Sequence, residues 1–564
     1  MRSLNLLRGA FIAGLGLAVA AWSNVTMNAL FTNNMVLQHG MAVPVWGTAS
    51  AGENISISIN GQAKTAVAAS TGAWKVVLDS LSVGGPFQMV VYGANTITLT
   101  NVMVGDVWVC SGQSNMSRGL GGFYNPNTEA VGLNNVRLLI KQSDNTGTGP
   151  WNECTPSTAS NFSAVGFFFG KFLYDSLKIP IGLIEGAVQA SCIEQWMSTQ
   201  SIIDDPELDT SDLFNYGNDG GIPGGLKGGG LYRGVIAPLI PFAIRGIIWY
   251  QGEWNTTGFS HTDKYQIRFE ELIKGWRAAW GQGDFPFCFV QLPNFNSPDP
   301  WAYVREAQRR TNKDIRNTGM AITIDLGGGV PGYPDSTELH PRDKLDVGYR
   351  LALRALDSTY KHANPAASGP LFKSLYLRND TAHLSFDYTG SGLLAKNGTL
   401  QAFQIATATD TNFVNASASI SSREVIVYKP GSKIARVRYA YASNPPSTLC
   451  NKEGLPASPF LSTASDITGV ERNSPINATV ARNQQSPEVA RIYDLTGRCI
   501  GQRCLSNFPN MPSANLGVIP SMGTLRNSTG VFIEQTVSSD NRVINRKIML
   551  FGKYGQPPLV TGKE

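Results

Sequence analysis

The chain has 564 residues, with 46 Lys and Arg against 41 Asp and Glu. That length exceeds what one hydrophobic core supports, so several domains are expected. A formal net charge of +5 over this length, with no dense basic stripe, argues against nucleic acid as a partner. Residues 1–23 read as a secretory signal peptide. Arg2 and Arg8 give a positive start, an uncharged apolar run covers 11–21, and Ala18-Val19-Ala20 is a small-x-small cleavage pattern, with Ala21-Trp22-Ser23 as the alternative. The run falls short of the ~20 residues a bilayer span needs, and no later stretch reads as transmembrane, so no stable membrane span is expected. Secretion, or a periplasmic or cell-surface location, follows from the leader.

Residues 24–103 alternate polar and apolar side chains in VPVWGTA, ENISISING and FQMVVYGANTITLT, with Gly-rich turns between them. This predicts a small β-sandwich or jelly roll, whose role is either to support the next domain or to bind carbohydrate. Residues 104–360 change texture. VRLLI, IPIGLIEGA, IRGIIWYQGE, FPFCFVQLPNF and GMAITIDLG are apolar on both faces, as strands of a parallel sheet are. Helical runs fall between them at 164–176 and 262–280, where Tyr265, Phe269, Leu272 and Ile273 recur at helical spacing. The alternation predicts a doubly wound α/β domain. Residues 204–230 are rich in Asp and Gly and read as a loop. Residues 361–464 return to short alternating runs, a second β domain. Residues 465–564 open with a linker composition and then give three strand-like runs, ARIYDLTGRCIG, GVFIEQTV and NRKIMLFGK.

The seven cysteines are too few for a disulfide scaffold, and none joins a histidine at metal-ligand spacing, so neither a metal nor a cofactor is expected. Cys499 and Cys504 are near enough in sequence to bridge a tight loop; Cys110 and Cys288 read as buried thiols. One stretch carries chemistry. VGDVWVC is a buried strand that turns abruptly into SGQSNMSRG. Gly112 can take a backbone turn that other residues resist, and Ser114 then stands just past a strand end, where open α/β sheets place their ligands. By itself this reads first as a strand followed by a Ser-containing turn, since such turns are common. A serine nucleophile needs an imidazole, and five histidines are available: His39, His261, His340, His362 and His383. His340, in ELHPRDK beyond a strand and a Gly-rich loop, is placed to reach the rim where Ser114 stands.

GQSNM after a hydrophobic strand resembles the nucleophile block of the sialate O-acetylesterase family, a branch of the SGNH-type hydrolases. NNMVLQ, IIWYQGEWN and ELHPRDKLDVGYRLA agree with it in order and spacing. The resemblance, over about residues 25–462, implies a flavodoxin-like three-layer SGNH hydrolase domain flanked by β-sandwich domains. It also implies a serine esterase that removes O-acetyl groups from carbohydrate, either sialic acid or a plant polysaccharide such as xylan. It carries the nucleophile onto Ser114 and the general base onto His340. The orienting acid falls on Glu338, with Asp335 as the second candidate and a Ser–His dyad as the third. Oxyanion donors would be the N–H of Ser114, the N–H of Ala190, where relatives have glycine, and the side-chain amide of Asn255, with Gln113, Gln251 and Glu253 supporting the loops. The last hundred residues are similar to C-terminal sorting modules of Gram-negative secretion systems, which implies secretion machinery as a partner beside the acetylated glycan. A non-catalytic carbohydrate-binding or cell-surface protein is the competing reading.

Overall fold

The alternation of Ile and Ser in Asn54–Ile59 buries every second side chain, and the strands around it repeat that pattern to build two small facing sheets. One joins Thr26–Met27, Val43–Thr48 and Ala73–Leu78; the other joins Asn54–Ile59, Gln62–Val67 and Gly84–Tyr92 to a 17-residue strand, β1 (Thr96–Gly112). The computed structural model describes residues 24–141, 148–204, 228–257, 262–328, 338–364, 366–408 and 412–471, and the backbone of four strands beyond them. The leader at 1–23, most of the loop at 204–230, His261 and Asp335 lie outside the described residues. Among those described, no helix is long and apolar enough to cross a membrane.

Strand β1 belongs to two bodies. Its first half alternates in burial and pairs antiparallel with Gly84–Tyr92; from Val102 onward every side chain is buried. There it joins a parallel sheet with both faces covered, which is why alternation gives way to continuous apolarity. The sheet also contains β2 (Val136–Ile140), β3 (Ile181–Ala187), β4 (Gly246–Tyr250), β5 (Phe287–Val290) and β6 (Thr318–Ala321), in the order β2-β3-β1-β4-β5-β6, all parallel. The boundary read at 103/104 therefore falls inside one continuous strand, and a single hydrophobic core runs from Val25 to Ala355 across it. Five helices matter to the site: α1 (Ser114–Ser117), α2 (Ala164–Leu177), α3 (Tyr265–Trp280), α4 (Trp301–Asp314) and α5 (Lys344–Ser358). Helix α2 packs on α5 and α3 on α4. The α2–α5 pair approaches so closely that a Cβ on Gly348 would lie 2.6 Å from Phe168 Cβ. The chain leaves β1 for one side of the sheet (β2, β3) and then crosses to the other (β4, β5, β6). The C-terminal end of β1 is thus the topological switch point, where such folds open a crevice.

A buried charge pins this framework. Asp106 on β1 is fully buried and accepts from Gln38 Nε2 at 2.7 Å, Arg245 Nε at 2.8 Å and Tyr360 Oη at 2.7 Å, with His39 Nε2 at 3.0 Å. Burial alone would raise its pKa. The hydrogen bond from His39, the Arg245 charge and the bonds from Tyr360 and Gln38 outweigh it and hold the carboxyl at about 2.

The second β domain has its own core, centred on the stacked rings of Phe372 and Phe460, 4.1 Å apart. Its main sheet ends in Ile467–Glu471, parallel to Leu371–Arg378, so the domain runs past the boundary read at 464. Gln291 Nε2 to Ser458 Oγ (2.8 Å), Arg310 Nη2 to the Leu461 carbonyl (2.9 Å) and Lys313 Nζ to Asp466 (2.7 Å) hold it to the α/β domain. The C-terminal unit is a four-stranded antiparallel sheet in the order Cys499–Cys504, Val489–Tyr493, Gly530–Val537, Val543–Phe551. The run read as one strand, ARIYDLTGRCIG, is split between two. Cys499 and Cys504 end opposite termini of a single strand, which sets their Cα atoms about 16 Å apart and beyond disulfide reach. Cys110 and Cys288 are buried free thiols, as are Cys154, Cys192 and Cys450.

Candidate active site

Gly112, the last residue of β1, has φ +133°, and a Cβ there would lie 2.1 Å from the Tyr250 carbonyl oxygen on β4. Only glycine lets the two strand ends come this close. Gln113 N–H then donates to the same carbonyl at 2.9 Å, and the chain turns into α1 with Ser114 first. On the other flank, Val188 N–H donates to the Gly112 carbonyl at 2.9 Å, so the loop after β3 is drawn against the nucleophile turn. His340 arrives from the segment before α5. Its Nε2 lies 2.9 Å from Ser114 Oγ, across 226 positions of sequence.

The other ring nitrogen has an unexpected neighbour. Arg118 Nη2 stands 3.2 Å from His340 Nδ1. A guanidinium only donates, so Nδ1 accepts and the ring proton sits on Nε2, directed at Ser114. Burial first, then the charges of Arg118 and Lys344, hold His340 down at about 4, well below the ordinary imidazole value. The ring is neutral across the physiological range. Glu338, the acid favoured from sequence, does not meet it: its carboxylate leans towards Arg342 Nε at 4.0 Å, and its N–H donates to the Gly327 carbonyl at 3.3 Å. A position two residues before a histidine does not by itself turn a side chain towards that ring. Here the exposed guanidinium of Arg342, four residues on, draws the carboxylate away.

The expected oxyanion donors divide in the same way. Among the described residues, the N–H groups of Ser114 and Ala190 make no hydrogen bond. Ala190 has φ +52°, the left-handed conformation that favours glycine, so this alanine carries strain to keep the loop's shape. Asn255 is different. It is fully buried; its Oδ1 accepts from Ile193 N–H (3.0 Å) and Gln251 Nε2 (2.7 Å), and its Nδ2 is turned to the Glu194 carboxylate at 3.1 and 3.3 Å. Glu194 is itself buried, 2.6 Å from Arg268, and a buried carboxylate claims every donor within reach. The Asn255 amide is engaged in fastening the loop after β3 to the loop after β4. Gln251 joins that work, donating to the Ser191 carbonyl (3.2 Å) and accepting from Tyr265 Oη (2.9 Å). Gln113 Oε1 accepts from Trp254 N–H at 3.3 Å.

Three further residues surround the pair, and sequence reasoning assigned them no role. Asn115 Nδ2 donates to Glu253 Oε1 at 2.5 Å and to the Leu339 carbonyl at 3.0 Å; Lys344 Nζ donates to Asn115 Oδ1 at 2.6 Å. Arg118 is the third. All three sit inside the motif stretches, where polar and charged neighbours are common, so nothing in their type or spacing set them apart.

A nucleophile turn at the switch point of a doubly wound sheet, with an imidazole 2.9 Å from the serine, is the arrangement of a serine hydrolase, here on a fold of SGNH type. Residues 104–357 match the family model described as carbohydrate esterase, sialic acid-specific acetylesterase. Curated relatives are sialate O-acetylesterases of Mus musculus, 28% identical over 528 residues that cover 80% of this chain and 95% of the relative, and of Rattus norvegicus, 30% identical over 448 residues that cover 66% and 80%. A carbohydrate acetylesterase from Xanthomonas citri is similar in structure, with a TM-score of 0.69 at 35% identity over 78% of this chain and all of that one. The chain belongs to the sialate O-acetylesterase family and is a carboxylic ester hydrolase acting on O-acetylated carbohydrate.

Proposed function

We propose that the substrate is an O-acetylated sialic acid and that the reaction runs through an acetyl-enzyme on Ser114. The single observation that carries this is the 2.9 Å contact between Ser114 Oγ and His340 Nε2; the names of the curated relatives support the choice of sugar. His340, neutral through the physiological range, takes the hydroxyl proton as Ser114 attacks the acetyl carbonyl. The N–H groups of Ser114 and Ala190 receive the oxyanion. The imidazolium returns its proton to the departing sugar oxygen, and a water activated by the same ring releases acetate. This requires the tautomer with the proton on Nδ1, which a carboxylate facing that nitrogen would fix; Glu338, after rotation, and Asp335 are the candidates. The leader-like residues 1–23 support export, and the C-terminal sheet is a candidate sorting module read by secretion machinery.

The test is acetate release from O-acetylated sialic acid, acetylated xylan and a chromogenic aryl acetate by the wild-type chain and by Ser114→Ala. The expected result is release from all acetyl esters lost in the variant, with sialic acid favoured over xylan in the wild type. Near wild-type turnover by folded Ser114→Ala would overturn the mechanism, and a preference for xylan would overturn the substrate.

A further inference from the structure

Lys344 is the first residue of α5, and its side chain has no exposure to solvent. A lysine is almost never fully buried without a purpose that repays its desolvation. Its ammonium meets Asn115 Oδ1 at 2.6 Å and faces the rings of Phe123 and Tyr250, 5.3 and 5.7 Å from their centroids. Asn115 directly follows the nucleophile. Its amide is held in one orientation, because its oxygen must face a donor and its nitrogen must face two acceptors. Those acceptors are Glu253 Oε1 on the loop after β4 and the carbonyl of Leu339, the residue before His340. Reversing the amide would set oxygen against carboxylate and nitrogen against ammonium. One buried amide therefore joins the nucleophile turn, the β4 loop and the histidine loop, and Lys344 locks it.

We propose that Lys344 is a positioning residue for hydrolysis: its ammonium fixes the Asn115 amide, and through the Leu339 carbonyl that amide holds His340 against Ser114. The proposal rests on the Ser114–His340 reading above. It makes the reaction depend on Lys344 keeping its proton. The charged and titratable groups around it are Glu253 from the β4 loop, Arg118 beyond α1, the phenol of Tyr250 on β4, and Glu338, His340 and Asp343 on its own segment. Burial lowers its pKa, Glu253 draws it back up, Arg118 lowers it again, and the balance stands at about 7. Glu253 is itself pushed up by burial, and one of its oxygens, Oε2, has no partner among the described residues. Loss of the Lys344 proton turns a charge-assisted donor into a neutral amine, so the bond that fixes the amide weakens and the histidine loop loosens.

The experiment measures kcat and KM on an aryl acetate from pH 4 to 9, with the rate of Ser114 labelling by a fluorophosphonate, for wild type, Lys344→Met, Lys344→Arg and Glu253→Gln. The wild type is expected to lose kcat above about pH 7. Lys344→Met should lose kcat about tenfold or more at pH 6 with KM within threefold, and should lack the alkaline limb; supporting residues one contact removed from a reacting group act on this scale. Lys344→Arg should restore part of kcat. Glu253→Gln, which keeps an oxygen for Asn115 while removing the charge that favours the ammonium, should move the alkaline limb to lower pH. A packing role alone would leave the limb where it is. If Lys344→Met folds and keeps the wild-type rate and profile, the proposal is overturned. If Lys344→Met does not fold, an unshifted limb in Glu253→Gln overturns it equally. Failure of the fluorophosphonate to label wild-type Ser114 would instead strike the underlying esterase mechanism.

Discussion

Gly112→Ala tests how tightly the nucleophile turn is built. The new Cβ would stand 2.1 Å from the Tyr250 carbonyl oxygen, 2.7 Å from its carbonyl carbon and 2.9 Å from its nitrogen. The first of these is more than an ångström inside an ordinary contact. Backbone on both sides makes the clash hard to relieve, since no flexible side-chain end can swing away. Three costs add. Holding an alanine at φ +133° costs on the order of 1–3 kcal/mol. Overpacking costs about as much again, and parting the strand ends weakens the Gln113 N–H bond to Tyr250, worth about 1 kcal/mol. The sum is about 3–7 kcal/mol, expected as a drop of several degrees in thermal midpoint. Because Ser114 follows two residues later, the same displacement carries the hydroxyl away from His340. A shift of about 1 Å costs on the order of a hundredfold in rate. Differential scanning fluorimetry and aryl acetate kinetics on one preparation read both effects. A variant melting within a degree of wild type and retaining half its kcat would refute this account of the glycine.

Two further predictions concern charge. Arg118→Gln removes a cation that depresses His340, so the imidazole pKa rises from about 4 towards its ordinary value. The base works only when neutral, so the acidic limb of kcat/KM moves to higher pH; an unmoved limb between pH 3 and 7 would show that Arg118 does not act on the ring. Asp106→Asn should destabilise the fold by about 2 kcal/mol at pH 7. The folded pKa of about 2 lies below the ordinary 3.8, so the contribution is complete above about pH 4 and is lost as pH falls through 2. Urea midpoints of wild type and variant should therefore converge in strong acid, and a gap that is constant with pH would contradict the assignment.

The sheet was legible because parallel strands covered on both faces read as continuous apolar runs, and every stretch singled out that way became a strand of the central sheet. Ser114 was legible because it stands just past a strand end, and His340 because the chain holds few histidines and this one falls in a Pro-bounded loop before a helix. The domain boundary was not legible, since the change in pattern near Met103 marks a change in what covers β1 and not a break in the backbone. The orientation of the Asn255 amide was also beyond the sequence. Its composition matches a donor to substrate, but a carboxylate 61 positions away claims it. Arg118 beside Nδ1 follows from the turn's three-dimensional course, which no spacing rule encodes.

The unbroken strand β1 has a consequence for anyone who would graft a different front module onto this hydrolase. The joint lies in the middle of a hydrogen-bonded ladder, so parity must be preserved: a single residue inserted between Thr96 and Met103 would exchange the inward and outward side chains of the whole first half. The sandwich also cannot swing as a hinged flap, because its longest strand is the same rigid rod that carries the nucleophile at its tip.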